Sequence, residues 1–387
     1  MSVIKCDILI CGAGLAGLSL LYRAMQSGIW ADLQIIVADR SDKQVNDKTW
    51  SFWHKGKPVF EELIHHQWDH LVFYSNKGQR IKLNSRDYTY NSIRSADFYQ
   101  RTLAYLKQFK NITFVQEEIL NITSTGADCK LYTDQHTYQS TYLFNSIYQQ
   151  PEIRADEQLF LQHFKGQKIK TSAAIPPLSE AYLMDFRTGQ ENGTTFFYTL
   201  PMAEDELFVE YTLFSKSLLP KEVYNEQIKL YLQQVLNIED YTIIEEEFGI
   251  IPMTDHLFKR FEGNIIYIGT AGGDTRGSTG YTFSNLQKTI SAILRSYQSD
   301  GNPFFKDKNI GLRHQLYDST LLNVLAKGEY AGHQLFTDLF SKSPADYIFA
   351  FLDAETSVLK DLRIMKSLRV IPFLRAFITA AAGRLQR

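Results

Sequence analysis

The chain has 387 residues, 44% of them hydrophobic and 22% charged, enough for two domains or one large body with a substantial core. A formal net charge of −2 argues against nucleic-acid binding, which leaves a basic footprint. The three cysteines, Cys6, Cys11 and Cys129, have no metal-ligand spacing, and no uncharged apolar run reaches the roughly 18 residues that span a bilayer. Asp7 interrupts the N-terminal apolar run, so no signal peptide is readable and a reducing, cytoplasmic setting is expected.

The first forty residues read strand, Gly-rich turn, helix, strand. Asp7-Ile8-Leu9-Ile10-Cys11 has the unbroken apolar character of a buried parallel strand. Gly12-Ala13-Gly14-Leu15-Ala16-Gly17 follows, then a helix to Gln26 with Gly28 as its stop. Residues 34–38 form the second strand, closed by Asp39. GxGxxG alone is a weak signal, but here strand and helix flank it. Gly12 makes the tight turn, Gly14 lets backbone approach a pyrophosphate, and Gly17 lets helix and strand pack. The pyrophosphate would sit on the helix N-terminus, with Asp39 taking the ribose hydroxyls. An acid there speaks for an unphosphorylated ribose, hence FAD or NAD.

Further strand-like runs lie at 71–74, 112–116, 130–133 and 141–145. Short strands with turn residues, such as Gln190-Glu191-Asn192-Gly193, suggest an antiparallel sheet between 167 and 214. A long helical pattern covers 221–236, and nearly everything beyond Asn302 is helical in character. Between them, residues 264–268 read as a strand entering a second Gly-rich loop that contains Gly269 and Thr270. A helix begins near Gly280 and Tyr281. This late loop is similar to that of hydroxylase-type flavoproteins, which favours FAD over NAD. Those proteins normally carry an Asp on the ribityl chain where Thr270 stands. The following helix would aim its positive end at the isoalloxazine and favour a reduced, anionic flavin.

Several strings together resemble the bacterial lycopene β-cyclase family. They are Asn46-Asp47-Lys48-Thr49-Trp50-Ser51-Phe52-Trp53, Leu183-Met184-Asp185-Phe186-Arg187, Phe208-Val209-Glu210-Tyr211-Thr212-Leu213-Phe214, Ile251-Pro252-Met253 and Ser278-Thr279-Gly280-Tyr281-Thr282-Phe283. Arg276-Gly277 departs from the Lys/Arg-Pro pair expected there, which should loosen that loop. The resemblance implies cycloisomerisation of lycopene or a related linear carotene with no net redox change. It also implies reduced FAD, NAD(P)H as electron source, and contact with other carotenoid-pathway enzymes. A redox flavoenzyme, hydroxylase or carotenoid desaturase, is the chief alternative; a non-catalytic carotenoid-binding flavoprotein is another.

The resemblance places an essential acid at Glu210. In a strand, Phe208, Glu210, Thr212 and Phe214 share one face, so Glu210 projects among aromatics into an apolar site or toward solvent. Burial would raise its pKa and keep it protonated, as a general acid requires. Asp47 precedes Trp50 and Trp53, which suit either a cation–π flank of the substrate pocket or ordinary core. Arg94 precedes a helix and either contacts the FAD ribityl or phosphate groups or caps the surface. Asp185 and Arg187 read as a structural pair, and the histidines, including His65 and His66, show no metal spacing.

After Asp361 the chain has no acid but carries Arg363, Lys366, Arg369, Arg375, Arg384 and Arg387 among apolar residues. That suits an interfacial helix on anionic lipid at the inner membrane face, or a helix packed on the protein with a solvated basic side. Pro372 should break or kink it. The expected fold is α/β: a discontinuous Rossmann-type FAD domain (1–55, 91–150, 246–300), an inserted antiparallel-sheet substrate domain (56–90, 151–245), and a helical C-terminal region (301–387).

Overall fold

The computed structural model describes residues 3–172, 180–306 and 310–385. Its nucleotide-type half is a six-stranded sheet in the order Phe261–Glu262, Ile265–Tyr267, Tyr142–Asn145, Ile8–Cys11, Ile35–Asp39, Ile112–Gln116. All pairs but the first are parallel. The central strands are buried on both faces, which explains their continuous apolar runs. Helices α1 (Leu15–Gln26), α2 (Ser95–Leu106) and the later α4 (Phe283–Asp300) share a core with Ile8, Ile10 and Val37 on one face. On the other face Leu9, Cys11 and Ile36 pack with Leu131 and Tyr138 of a small four-stranded sheet.

The second half is a seven-stranded sheet: Tyr241–Thr254, Leu159–Thr171, Glu206–Ser215, Thr194–Pro201, Ala181–Asp185, Leu71–Tyr74, Arg80–Leu83. It is antiparallel except where Ala181–Asp185 pairs with Leu71–Tyr74. Its strands run up to 14 residues, so the short strands expected from the turn signals are too short. The boundary set at 245/246 falls inside Tyr241–Thr254, which pairs with Leu159–Thr171 throughout; hydrophobic pattern alone does not reveal which sheet a strand joins. Alternation along Glu206–Ser215 decides the layers. Val209, Tyr211 and Leu213 pack on α3 (Lys221–Gln234) through Tyr224, Ile228 and Tyr231.

The opposite face, through Phe196 and Phe214, meets the C-terminal helices. These are α5 (Leu312–Lys327), α6 (Gly332–Lys342), α7 (Ala345–Leu352), α8 (Val358–Met365) and α9 (Val370–Leu385). Pro372 does not break α9. It stands in the first turn, where the missing N–H has no helical acceptor to lose. Arg276-Gly277 is not loosened either. Arg276 is fully buried, forks onto Asp318 of α5 and donates to the Leu352 carbonyl, fixing the turn that a proline was expected to stiffen.

Candidate active site

A cleft of about 460 Å3 lies between the two sheets, and the Gly-rich turns form one wall. Gly12 has φ +96°, a region closed to most side chains, and a Cβ there would meet Ser146 Oγ at 2.4 Å. At Gly17 a Cβ would lie 2.0 Å from the Gly12 carbonyl, so only glycine allows this helix to seat on this strand. A Cβ on Gly14 would meet nothing within 4 Å, because that backbone faces the open cleft. Such a bare cradle at a helix N-terminus fits a pyrophosphate. Asp39 sits at the end of its strand and accepts from Ala13 N–H at 2.7 Å and Ser41 N–H at 2.8 Å, with Lys43 Nζ at 3.1 Å.

The late loop forms the opposite lip. Gly269, Thr270, Gly280, Tyr281 and the first residues of α4 all line the cleft. The Thr270 hydroxyl meets Thr275 Oγ1 at 2.9 Å, which in turn meets Thr282 Oγ1 at 2.8 Å. The carboxylate that organises this loop is Asp274, which sequence reasoning missed because it sought an acid at position 270. Asp274 is buried, accepts from Gly269 N–H at 2.7 Å, and pairs with Arg260 at 2.7 Å.

The floor comes from the seven-stranded sheet. Strand register puts Tyr198, Glu210, Gly166 and Glu247 in one cross-strand row. Glu210 is 8% exposed, lines the cleft, and accepts from Thr212 Oγ1 at 2.6 Å. Burial, then the neighbouring charge of Glu247, pushes its carboxyl well above the ordinary carboxylate range. Glu247, partly exposed into the cleft, is raised as well, chiefly by burial and against the pull of Thr49 and Lys48. No local motif marks Glu247; its place follows from strand pairing.

Phe208, Asp47 and Trp50 also line the cleft; Asp47 accepts from Tyr99 Oη at 3.2 Å and Trp50 sets its edge against Phe98 and Tyr99. Thr212 acts behind Glu210 and is absent from the cleft lining. Trp53 points elsewhere. It lies 4.1 Å from the Tyr281 ring, packs on Phe349, and lines a separate apolar cavity of about 750 Å3 beneath the C-terminal helices. Arg94 also stands outside the cleft. It pairs with Glu245 at 3.2 Å in an adjoining small pocket, because the strand that carries Glu245 supplies a carboxylate within reach. Asp185 and Arg187 form a fork pair joined by Tyr231, as a structural pair should.

Cleft and cavity meet at Tyr198, Thr279 and Tyr281, which belong to both linings. The Tyr281 hydroxyl lies 3.4 Å from those of Tyr90 and Tyr198. Burial raises all three phenols, so this wall is neutral at any physiological pH.

A family model described as lycopene cyclase protein matches residues 7–378. The lycopene beta-cyclase of Pantoea ananas is 26% identical over 258 residues, or 64% of this chain and 62% of that protein. The match thus spans less than two thirds of that relative's length. Among solved structures, a geranylgeranyl bacteriochlorophyll reductase-like protein from Thermoplasma acidophilum is similar at TM-score 0.65 and 12% identity, covering 98% of this chain and all of that one (100%). A p-nitrophenol 4-monooxygenase from Pseudomonas putida is similar at TM-score 0.59 and 10% identity (98% and 99% covered). A halogenase crystallised in complex with FAD gives 0.57 and 10% (98% and 92%). At such identities the likeness speaks for the fold.

Proposed function

The chain belongs to the lycopene cyclase family, and we propose that it closes rings at the ends of linear carotenes, lycopene above all, by acid-catalysed isomerisation. One observation carries this reading: a buried carboxyl with a raised pKa, Glu210, stands in a cleft framed by a dinucleotide-type Gly-rich turn. Hydride transfer does not need such an acid.

The turn at residues 12–17 and the α1 N-terminus would hold the FAD pyrophosphate, Asp39 the ribose, and the loop from Gly269 to α4 the flavin end. Bound FAD, kept reduced by NAD(P)H, would supply a fixed anion beside a developing carbocation and leave the electron count unchanged. Glu210 holds its proton because its surroundings disfavour the carboxylate, and Thr212 fixes one of its oxygens. It gives that proton to the terminal alkene; the neighbouring double bond closes the six-membered ring, and a proton lost from the new cation sets the final double bond. The rings of Phe208 and Trp50, which line the cleft, would offer the cation an electron-rich lining.

The rest of the polyene would occupy the apolar cavity, whose mouth is built by α8 and α9. Leu359 is 81% exposed there, Val370 67%, Ile371 64% and Ile378 60%, beside Arg363, Lys366, Arg369 and Arg375. Arg387 lies outside the described residues. Exposed apolar groups flanked by cations suit peripheral docking on an anionic membrane face, from which a water-insoluble substrate could enter. Among the described residues no helix is long and apolar enough to cross a membrane.

Expression in lycopene-producing cells with chromatography of the pigments tests the reading. New cyclised carotenes are expected; unchanged lycopene would sink it. NAD(P)H consumed in step with substrate would favour a hydroxylase or desaturase instead.

A further inference from the structure

Glu210 accounts for the proton that enters the substrate, yet an isomerisation must also remove one. The cross-strand row holds a second carboxyl. Gly166 faces Glu210 on one side and Glu247 on the other, so the two acids stand two strand spacings apart, about 10 Å at the backbone. Gly166 keeps the space between them free of its own side chain. A Cβ there would lie 2.4 Å from the Phe208 ring and 3.1 Å from Glu247 Cγ. Phe208 therefore reaches over the glycine with the tip of its ring. Both acids line the same cleft. Glu247 is the more exposed of the two and has the better anion partners, the Thr49 hydroxyl and the Lys48 charge.

We propose that Glu247 is the base of this site, the group that takes the proton the ring-closed cation releases. The proposal rests on the cyclase reading above. Each step balances. The Glu210 O–H bond breaks and a C–H bond forms at the terminal alkene carbon, whose π pair is consumed. The neighbouring π pair forms the ring bond. A C–H bond beside the new cation then breaks, its electrons become the ring double bond, and its proton passes to the Glu247 carboxylate. Return of that proton to Glu210 restores the start, with no oxidant or reductant. Burial and the charge of Glu247 both disfavour the Glu210 carboxylate, so the proton rests on Glu210 while Glu247 is ionised. Tyr90 and Tyr198 beside Glu210 are neutral; Lys48 and Glu245 act on Glu247.

The test compares Glu247→Gln, Glu247→Asp and Glu210→Gln. Glu247→Gln should slow ring formation by about 100-fold, in the range of a lost general base, and abolish the acid limb of the pH–rate profile. It should also scatter the ring double bond among isomers, because no placed base selects the proton lost; Glu247→Asp should restore the single product in part. On apoprotein, infrared titration of the carboxylic acid band should show Glu210 titrating lower once Glu247 is replaced. Wild-type rate, pH profile and product in Glu247→Gln, with Glu210→Gln inactive, would overturn the base assignment alone. If Glu210→Gln also cyclises normally, Glu210 is not the acid and the acid–base pair falls with it; if the wild type forms no ring, the cyclase reading itself falls.

Discussion

Arg276 and Asp318 form a buried two-pronged ion pair, Nη2 to Oδ1 at 2.6 Å and Nε to Oδ2 at 3.0 Å, that ties the lip of the cleft to α5. Ser278 adds a third bond to the same carboxylate at 2.6 Å. Removing one partner of such a pair leaves a buried charge uncompensated and costs about 3–5 kcal/mol. Asp318→Ala is expected to lower the unfolding free energy read from urea denaturation by that amount, and Arg276→Met with Asp318→Leu to recover much of it. Losses that simply add, the double variant losing the sum of the two singles, would show the pair to be energetically independent.

Gly14 and Gly17 should fail in different ways. Gly17→Ala forces a methyl into the Gly12 carbonyl and is expected to lower the melting temperature or prevent folding. Gly14→Val meets open cleft, so the fold should survive while flavin absorbance in the purified protein falls. Normal flavin content in Gly14→Val would exclude this turn as the pyrophosphate cradle.

The stability contributed by three buried carboxyls should decline with rising pH. Glu210 and Glu247 have folded-state pKa values above their ordinary range, and burial lifts Asp353 from 3.8 to about 7. The folded state then binds more protons than the unfolded one, so the stability these groups allow is full below about pH 4 and lost as pH climbs through the raised values. Glu210→Gln should melt higher than the wild type at pH 8, and that advantage should vanish by pH 4. Melting temperatures measured across this range decide it; no gain at pH 8 would mean that Glu210 is not held neutral by its surroundings.

Glu replacements of Leu359 and Ile371 should weaken sedimentation with anionic phospholipid vesicles by about tenfold each, the value of one buried apolar side chain. Melting should hardly change, because both side chains already stand in solvent. Undiminished vesicle binding by the double variant would remove α8 and α9 from membrane contact.

The sequence made the βαβ frame legible because its signals are local: an apolar run, glycines at fixed offsets, and an acid at the strand end. The face of the Glu206–Ser215 strand was readable for the same reason, since alternation is a property of neighbours. What could not be read depends on pairing across distance. Glu247 joins Glu210 only through two registers crossing at Gly166. Asp274 serves the late loop from four residues beyond the position where an acid was sought, because the Gly269–Gly272 turn folds back on it. Trp50 and Trp53 are three residues apart, yet line different spaces, because odd spacing in a strand sends side chains to opposite faces.

The three-tyrosine wall sets a condition on whatever occupies both spaces. A molecule long enough to reach from the helical side to Glu210 must thread past Tyr198 and Tyr281, giving up hydroxyl contacts that are the same for every chain that passes. The toll depends on the width of the leading end and not on what trails behind it. A constriction of this kind sorts by cross-section, as a sieve does.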